Sequence, residues 1–178
     1  LTHTRNNNIA NLEFLAKLPG NLGGLVKMNA GLKSWEMFNY INSIKTKDGY
    51  IKKEDVNFSY RETKIDTIIY EVVFNIESGF CKEKLKEFNK MRDNQPHVPS
   101  AGSCFKNPKD DFAGRLIEAV ELKGLRQGDM SFSEQHANFL VNNGAGTFED
   151  AIYLIDLAKK KIKEEFSIDI EEEIIIYK

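Results

Sequence analysis

The spacing of apolar positions changes character part-way along the chain. In the first 78 residues the runs are short and broken by glycine and asparagine. Leu12 to Leu18 leans apolar and reads as a short turn or helix stopped by Pro19-Gly20. The following Asn21-Leu22-Gly23-Gly24 has too many glycines for a stable helix interior, at about 1 kcal/mol each, and reads as a loop. Trp35 to Ile44 fits a helix, Asp48-Gly49 a turn, and Asp66 to Ile76, rich in β-branched and aromatic residues, a strand. Ser78-Gly79 then punctuates the chain, and a domain boundary is expected there.

Beyond it the pattern is α+β. Leu85, Phe88 and Met91 mark one face of a helix over 82–93 that stops before Pro96. Ala113, Leu116, Ile117 and Val120 mark another ahead of Gly124. The clearest helix opens at Thr147, with Asp150 placed as in a capping box, and carries Ile152, Ile155, Ile162 and Phe166 as its apolar stripe. Phe139-Leu140-Val141 reads as a short buried strand, and Ile168 to Tyr177 as a closing one. Strand alternation puts Ile168, Ile170, Ile174 and Ile176 on one face, and Asp169, Glu171 and Glu173 on the other.

Composition narrows the function. The 178 residues carry 25 Lys+Arg against 27 Asp+Glu, a formal charge of −2, with 41% hydrophobic and 29% charged residues. That is a globular chain able to bury a core. The balanced charge argues against nucleic acid as a partner. No run approaches the roughly 20 apolar residues of a membrane span, so no membrane partner is expected. Cys81 and Cys104 are too few for a disulfide framework or a four-ligand zinc site, and His3, His97 and His136 lack metal-ligand spacing, so a cytoplasmic, metal-free protein is expected.

Four segments hold groups that can do chemistry. Pro19-Gly20-Asn21-Leu22-Gly23-Gly24, followed by Met28-Asn29-Ala30-Gly31, lets successive N–H groups face one anion such as a pyrophosphate. It is neither a Walker loop nor a dinucleotide fingerprint, and taken alone an ordinary turn remains the more economical reading. Arg61, after Tyr60, suits a bidentate grip on a carboxylate or an ordinary solvated surface. Gly102-Ser103-Cys104-Phe105-Lys106-Asn107-Pro108 gathers a hydroxyl, a thiol, a cation and an amide, as a ligand loop or a tight turn. The thiol of Cys104 is a nucleophile only if its pKa is lowered. Glu171-Glu172-Glu173 reads from charge alone as a solvated face.

In order along the chain, Pro19-Gly20-x-x-Gly23-Gly24, Met28-Asn29-Ala30-Gly31, Tyr60-Arg61 and Gly102-Ser103-x-Phe105-Lys106-Asn107-Pro108 are followed by Leu122-Lys123-Gly124, Ser133-x-x-His136-Ala137-Asn138-Phe139 and Glu171-x-Glu173-Ile174. This ordered set resembles the UDP-N-acetylenolpyruvoylglucosamine reductases, the MurB flavoenzymes of peptidoglycan synthesis, over nearly the whole chain. The resemblance implies an α+β fold: the C-terminal part of a vanillyl-alcohol-oxidase-type FAD-binding domain over 1–78, a substrate-binding domain over 79–166, and a closing strand over 167–178 returning toward the FAD domain. It implies FAD and NADPH as cofactors and UDP-N-acetylglucosamine enolpyruvate as substrate, with a monomer the default.

By the same resemblance Ser103 is the proton donor, and Arg61 and Glu173 are the other two catalytic positions. Pro19, Gly20, Asn21, Leu22, Gly23, Gly24, Asn29 and Gly31 fall in the FAD-contacting stretch, and Lys106, Asn107, His136 and Asn138 near the UDP-sugar. The chain departs from the family pattern at Asn21-Leu22, Glu62-Thr63, Cys104 and Glu121, and lacks the extra tyrosine-bearing loop of one family branch. A left-handed Glu121 would cost on the order of 1 kcal/mol relative to the usual glycine. The resemblance leads one to expect an N-terminal part of the FAD domain ahead of the segment that starts at Leu1, and the 178 residues do not include it. The alternative for this length of chain is therefore a UDP-sugar-binding fragment without flavin-dependent activity.

Overall fold

The computed structural model describes residues 1–177, and the buried apolar side chains in it fall into two separate cores. They belong to two compact units, Leu1–Asp93 and a second beginning at Asn94.

In the first unit α1 (Thr2–Asn6), β1 (Ile9–Ala10) and a 3-10 turn at Glu13–Leu15 lead to α2 (Leu22–Lys27). Residues expected to be loop thus start a helix. Asn21 is its N-cap and its side chain accepts from the Gly24 N–H at 2.7 Å, which offsets the conformational cost of two glycines in the first turn. Next come β2 (Gly31–Leu32), β3 (Trp35–Glu36), a 3-10 turn at Met37–Asn39 and β4 (Ile41–Thr46). The helix expected over Trp35 to Ile44 is therefore strand and turn. Its second half lies between two partners, β5 (Gly49–Lys52) and, further on, β8 (Glu71–Phe74), and this pairing satisfies its backbone on both sides. Between them β6 (Phe58–Ser59) and β7 (Glu62–Thr63) form a hairpin turning at Tyr60-Arg61. Only Glu71–Phe74 of the strand expected over 66–76 is paired in this sheet, and β9 (Glu77–Ser78) pairs with β1. The last element, α3 (Lys82–Met91), buries Phe88 in this unit's core, edge-on to Trp35 at 5.0 Å. That packing moves the division of the chain from residue 78 to residue 93.

The second unit is an antiparallel sheet and two helices: β10 (Ser100–Ser103), α4 (Ala113–Ala119), β11 (Arg126–Gln127), β12 (Met130–Phe132), β13 (Phe139–Asn142) and α5 (Phe148–Phe166). The sheet order is β10-β13-β12-β11. Thr147 and Asp150 close the expected capping box of α5, which buries Leu154, Ile155, Ala158 and Ile162. Beyond α4, Glu121 takes the left-handed conformation with φ 60°. The closing segment is not a regular strand. Among the described residues it makes one antiparallel bridge, Phe105 to Glu172, while Ile170 is buried and Ile168, Ile174 and Ile176 pack against the core. The alternation is as expected, without a ladder of its own. Lys178 of that expected strand lies outside the described residues.

Candidate functional site

In the first unit an open cleft of about 970 Å³ is lined by Asn21, Gly23, Gly24, Lys27 and the segment 66–69. Its wall at Gly23 and Gly24 is backbone: a methyl group on Gly23 would lie 3.6 Å from the Ile69 carbonyl oxygen. Lys27 places a cation at the cleft, 3.4 Å from Asp66. Of the residues expected to hold the cofactor, Asn21, Gly23 and Gly24 line this cleft. Pro19, Gly20 and Leu22 are exposed around it in sequence, Gly20 at φ 101°.

Asn29 and Gly31 are used differently. Asn29 is fully buried, and its amide donates to the Glu36 carboxylate at 3.0 Å and to the Ser59 carbonyl at 2.9 Å. Its own side-chain oxygen accepts from the Phe38 N–H at 3.1 Å. Gly31 lies so close to β3 that a methyl group there would sit 2.1 Å from the Trp35 carbonyl oxygen. Both residues serve Arg61. One terminal nitrogen of its guanidinium donates to the Asn29 carbonyl at 3.3 Å and to Glu36 at 3.4 Å, and the other to the Gly31 carbonyl at 3.0 Å. The Arg61 side chain is 9% exposed and that of Glu36 19%. Arg61 is also left-handed, φ 58°, a conformation that costs a residue with a Cβ roughly 1–2 kcal/mol. Arg92, buried in the same unit, keeps an Nε with no partner among the described residues. Burial, then the charge of Arg61, lowers its pKa.

In the second unit β10 ends at Ser103, after a register slip and a left-handed Gly102. The bridge at Phe105 and Glu172 joins this segment to the closing one: the Glu173 N–H donates to the Cys104 carbonyl at 2.9 Å, and the Lys106 N–H to the Glu171 carbonyl at 2.8 Å. Ser103 and Glu173, distant in sequence, thus flank one pair of hydrogen bonds, both half-buried. Asn138 clamps the same segment. Its side chain accepts from the Phe105 N–H at 3.0 Å and donates to the Phe105 carbonyl at 2.8 Å, and its carbonyl accepts from the Cys104 N–H at 2.7 Å.

The other expected ligand residues surround that segment. The Lys106 ammonium lies 3.3 Å from Glu171, and the Asn107 side-chain oxygen accepts from the Ala113 N–H at 3.0 Å, at the start of α4. His136 is edge-on to Phe139 at 5.0 Å, and its Nδ1 faces the Asn138 N–H at 3.3 Å, which leaves the proton of the neutral ring on Nε2. Burial lowers its pKa, so the ring is neutral at pH 7. Burial, then the nearby Glu172, pushes the Cys104 thiol up to about 12, so it is no nucleophile. A largely apolar cavity of about 410 Å³ is lined in part by Gly102, Cys104, Leu140 and Ile174, and Ser103 is not part of its wall.

Arg61 belongs to the first unit, Ser103 and Glu173 to the second. Sequence reasoning missed Glu36 and Lys27, because neither sits in a motif: Glu36 meets Arg61 across 25 residues.

The profile of the family described as UDP-N-acetylenolpyruvoylglucosamine reductase, C-terminal domain, matches residues 94–177, starting where the second compact unit starts. The UDP-N-acetylenolpyruvoylglucosamine reductase of Helicobacter hepaticus is 48% identical over 175 residues, covering 98% of this chain and 66% of its own length. That of Campylobacter jejuni strain RM1221 is 48% identical over 172 residues, covering 97% of this chain and 67% of its own. The chain thus spans about two thirds of the length of these relatives. The crystal structure of the reductase (MurB) from Thermus caldophilus superposes with a TM-score of 0.88 at 31% identity, over 99% of this chain and 68% of that one. Fold, motif order and relatives agree, and the chain belongs to the UDP-N-acetylenolpyruvoylglucosamine reductase family.

Proposed function

We propose that this protein acts as an NADPH-dependent flavoenzyme that reduces UDP-N-acetylglucosamine enolpyruvate to UDP-N-acetylmuramate in cytoplasmic peptidoglycan precursor synthesis. The observation that supports the reading furthest is the bridge that joins the segment following Ser103 to the segment that carries Glu173. The residues of the first-unit cleft fit FAD: side-chain-free backbone at Gly23 and Gly24 with the Lys27 cation suits a pyrophosphate. When bound, FAD supplies the hydride that the substrate's double bond receives.

The chain's own residues then handle charge and proton. Hydride arrival drives negative charge onto the substrate carboxylate, and groups aimed at it lower the barrier, because they bind the transition state more tightly than the ground state. In this reading Arg61 grips that carboxylate as a planar cation, already oriented by three acceptors. Glu173, by the family resemblance, supplies a hydrogen-bonding carboxyl group to the reaction. Ser103 gives the proton to the neighbouring carbon; a hydroxyl is a weak acid, so it must be held close to a strongly basic carbanion, and the Asn138 clamp and the bridge supply that rigidity. Lys106, Asn107 and His136 are assigned to the UDP-sugar, with Asn138 acting through the segment it holds.

In the full-length protein Ser103→Ala is expected to leave flavin reduction by NADPH largely unchanged and to slow flavin reoxidation by substrate by about 10²–10⁴-fold. Equal reoxidation rates in stopped flow would remove Ser103 from this role. A second reading applies at the present length: a UDP-sugar-binding fragment without flavin-dependent activity. The second unit's own core and sheet favour it.

A further inference from the structure

We infer that Glu36, held by Asn29, is the positioning residue for Arg61, fixing the plane and direction of its guanidinium before substrate arrives. The inference rests on the reading of Arg61 given above, and it gives Asn29 a task other than binding cofactor.

The geometry is that of a preformed cup. Three acceptors of the guanidinium come from one stretch of chain: the carbonyls of Asn29 and Gly31 and the carboxylate of Glu36. That stretch is folded tightly on itself by the Gly31–Glu36 and Leu32–Trp35 pairs of β2 and β3. The close approach at Gly31 leaves no room for any side chain there. Glu36 is itself fixed from both sides. One carboxylate oxygen takes the Asn29 amide and the other takes Arg61. Asn29 also donates to the Ser59 carbonyl, in the hairpin whose turn carries Arg61. One buried amide therefore ties the strand end beside the arginine's turn to the carboxylate that receives its guanidinium.

The physical need is clear. A free arginine side chain carries about 2 kcal/mol of rotamer entropy, and a group that must meet developing charge in one plane loses rate if it wanders. Glu36 removes that freedom in advance. Its chemistry also makes the amide a poor replacement: both oxygens accept, so Glu36→Gln must turn an N–H toward either Asn29 or Arg61, both donors.

The test is stopped-flow reoxidation of the reduced, FAD-loaded full-length protein by UDP-N-acetylglucosamine enolpyruvate, comparing Glu36→Gln, Glu36→Ala, Arg61→Ala and the Arg61→Ala double variants. Glu36→Ala is expected to slow reoxidation by about 10- to 100-fold, mainly in its limiting rate rather than in the half-saturating substrate concentration, and the volume-preserving Glu36→Gln in the same direction. In the Arg61→Ala background either Glu36 substitution is expected to add nothing, since the residue it positions is gone. Equal slowing with and without Arg61 would make Glu36 a structural residue and overturn the inference. So would an unaffected Glu36→Gln beside a slowed Arg61→Ala, with the proposed function still standing. An unaffected Arg61→Ala overturns the assigned role of Arg61 and this inference together.

Discussion

Cys104 shows how far burial governs a single residue. Its neighbours in sequence, a serine and a lysine-bearing loop, suit a reactive thiol, yet the sulfur is completely buried and holds its proton up to about 12, against an ordinary value of 9.0. Above pH 9 an unfolded chain releases that proton and the folded one keeps it. Folding stability contributed by Cys104 is therefore fully present below pH 9 and is lost as pH rises from there toward about 12. The expected outcome is a single thiol, the half-buried Cys81, reacting with a thiol reagent in the native protein and two in denaturant. Cys104→Ala should flatten the alkaline fall in the urea midpoint. Two fast thiols in the native protein would contradict the burial argument. The same logic separates the amides. The resemblance places Asn29 and Asn138 near ligands, nothing local shows whether an amide faces a ligand or its own chain, and in the fold both side chains bond within the protein.

At the scale of elements, caps and periodicity were legible and isolated short strands were not. The Thr147–Asp150 box and the apolar stripe behind it define α5 from within one short stretch. Residues 35–44 have no such local determinant; their conformation follows from β4 being paired on both edges. The end of α4 offers a clean test. Glu121 sits left-handed just past the helix, where the Leu122 N–H returns to the Ile117 carbonyl at 3.0 Å, a helix-ending pattern that favours glycine. Glu121→Gly is expected to stabilise the protein by about 1 kcal/mol, raising Tm by roughly 2–4 °C in a thermal melt. A lower Tm would mean that the Glu121 side chain contributes more than its backbone costs.

For the whole molecule, two cores imply two questions. Residues 94–178 expressed alone are expected to unfold in one cooperative transition, because the sheet, α4 and α5 close their own core. Added UDP should then shift resonances near Lys106 and His136, while FAD leaves them unmoved. The complementary titration of the entire chain with FAD, read by quenching of flavin fluorescence, tests the Gly23–Lys27 cleft. Saturation at micromolar or tighter concentration supports the flavoenzyme reading at this length, and absence of binding favours the UDP-sugar fragment. No helix among the described residues is long and apolar enough to cross a membrane.

The sequence by itself determined the helices that carry their own caps and stripes, the inward alternation of Ile168 to Ile176, and the ordered motifs that mark the family, with Arg61, Ser103 and Glu173 among them. Only the tertiary structure decided that Glu173 would lie against Cys104, that Glu36 and Asn29 would hold Arg61, and that α3 would join the first core. The reason is one of range. Propensity and capping act within a turn or two of chain, whereas a buried polar group takes whatever partner the fold brings to it, because leaving it without one costs about 1–3 kcal/mol.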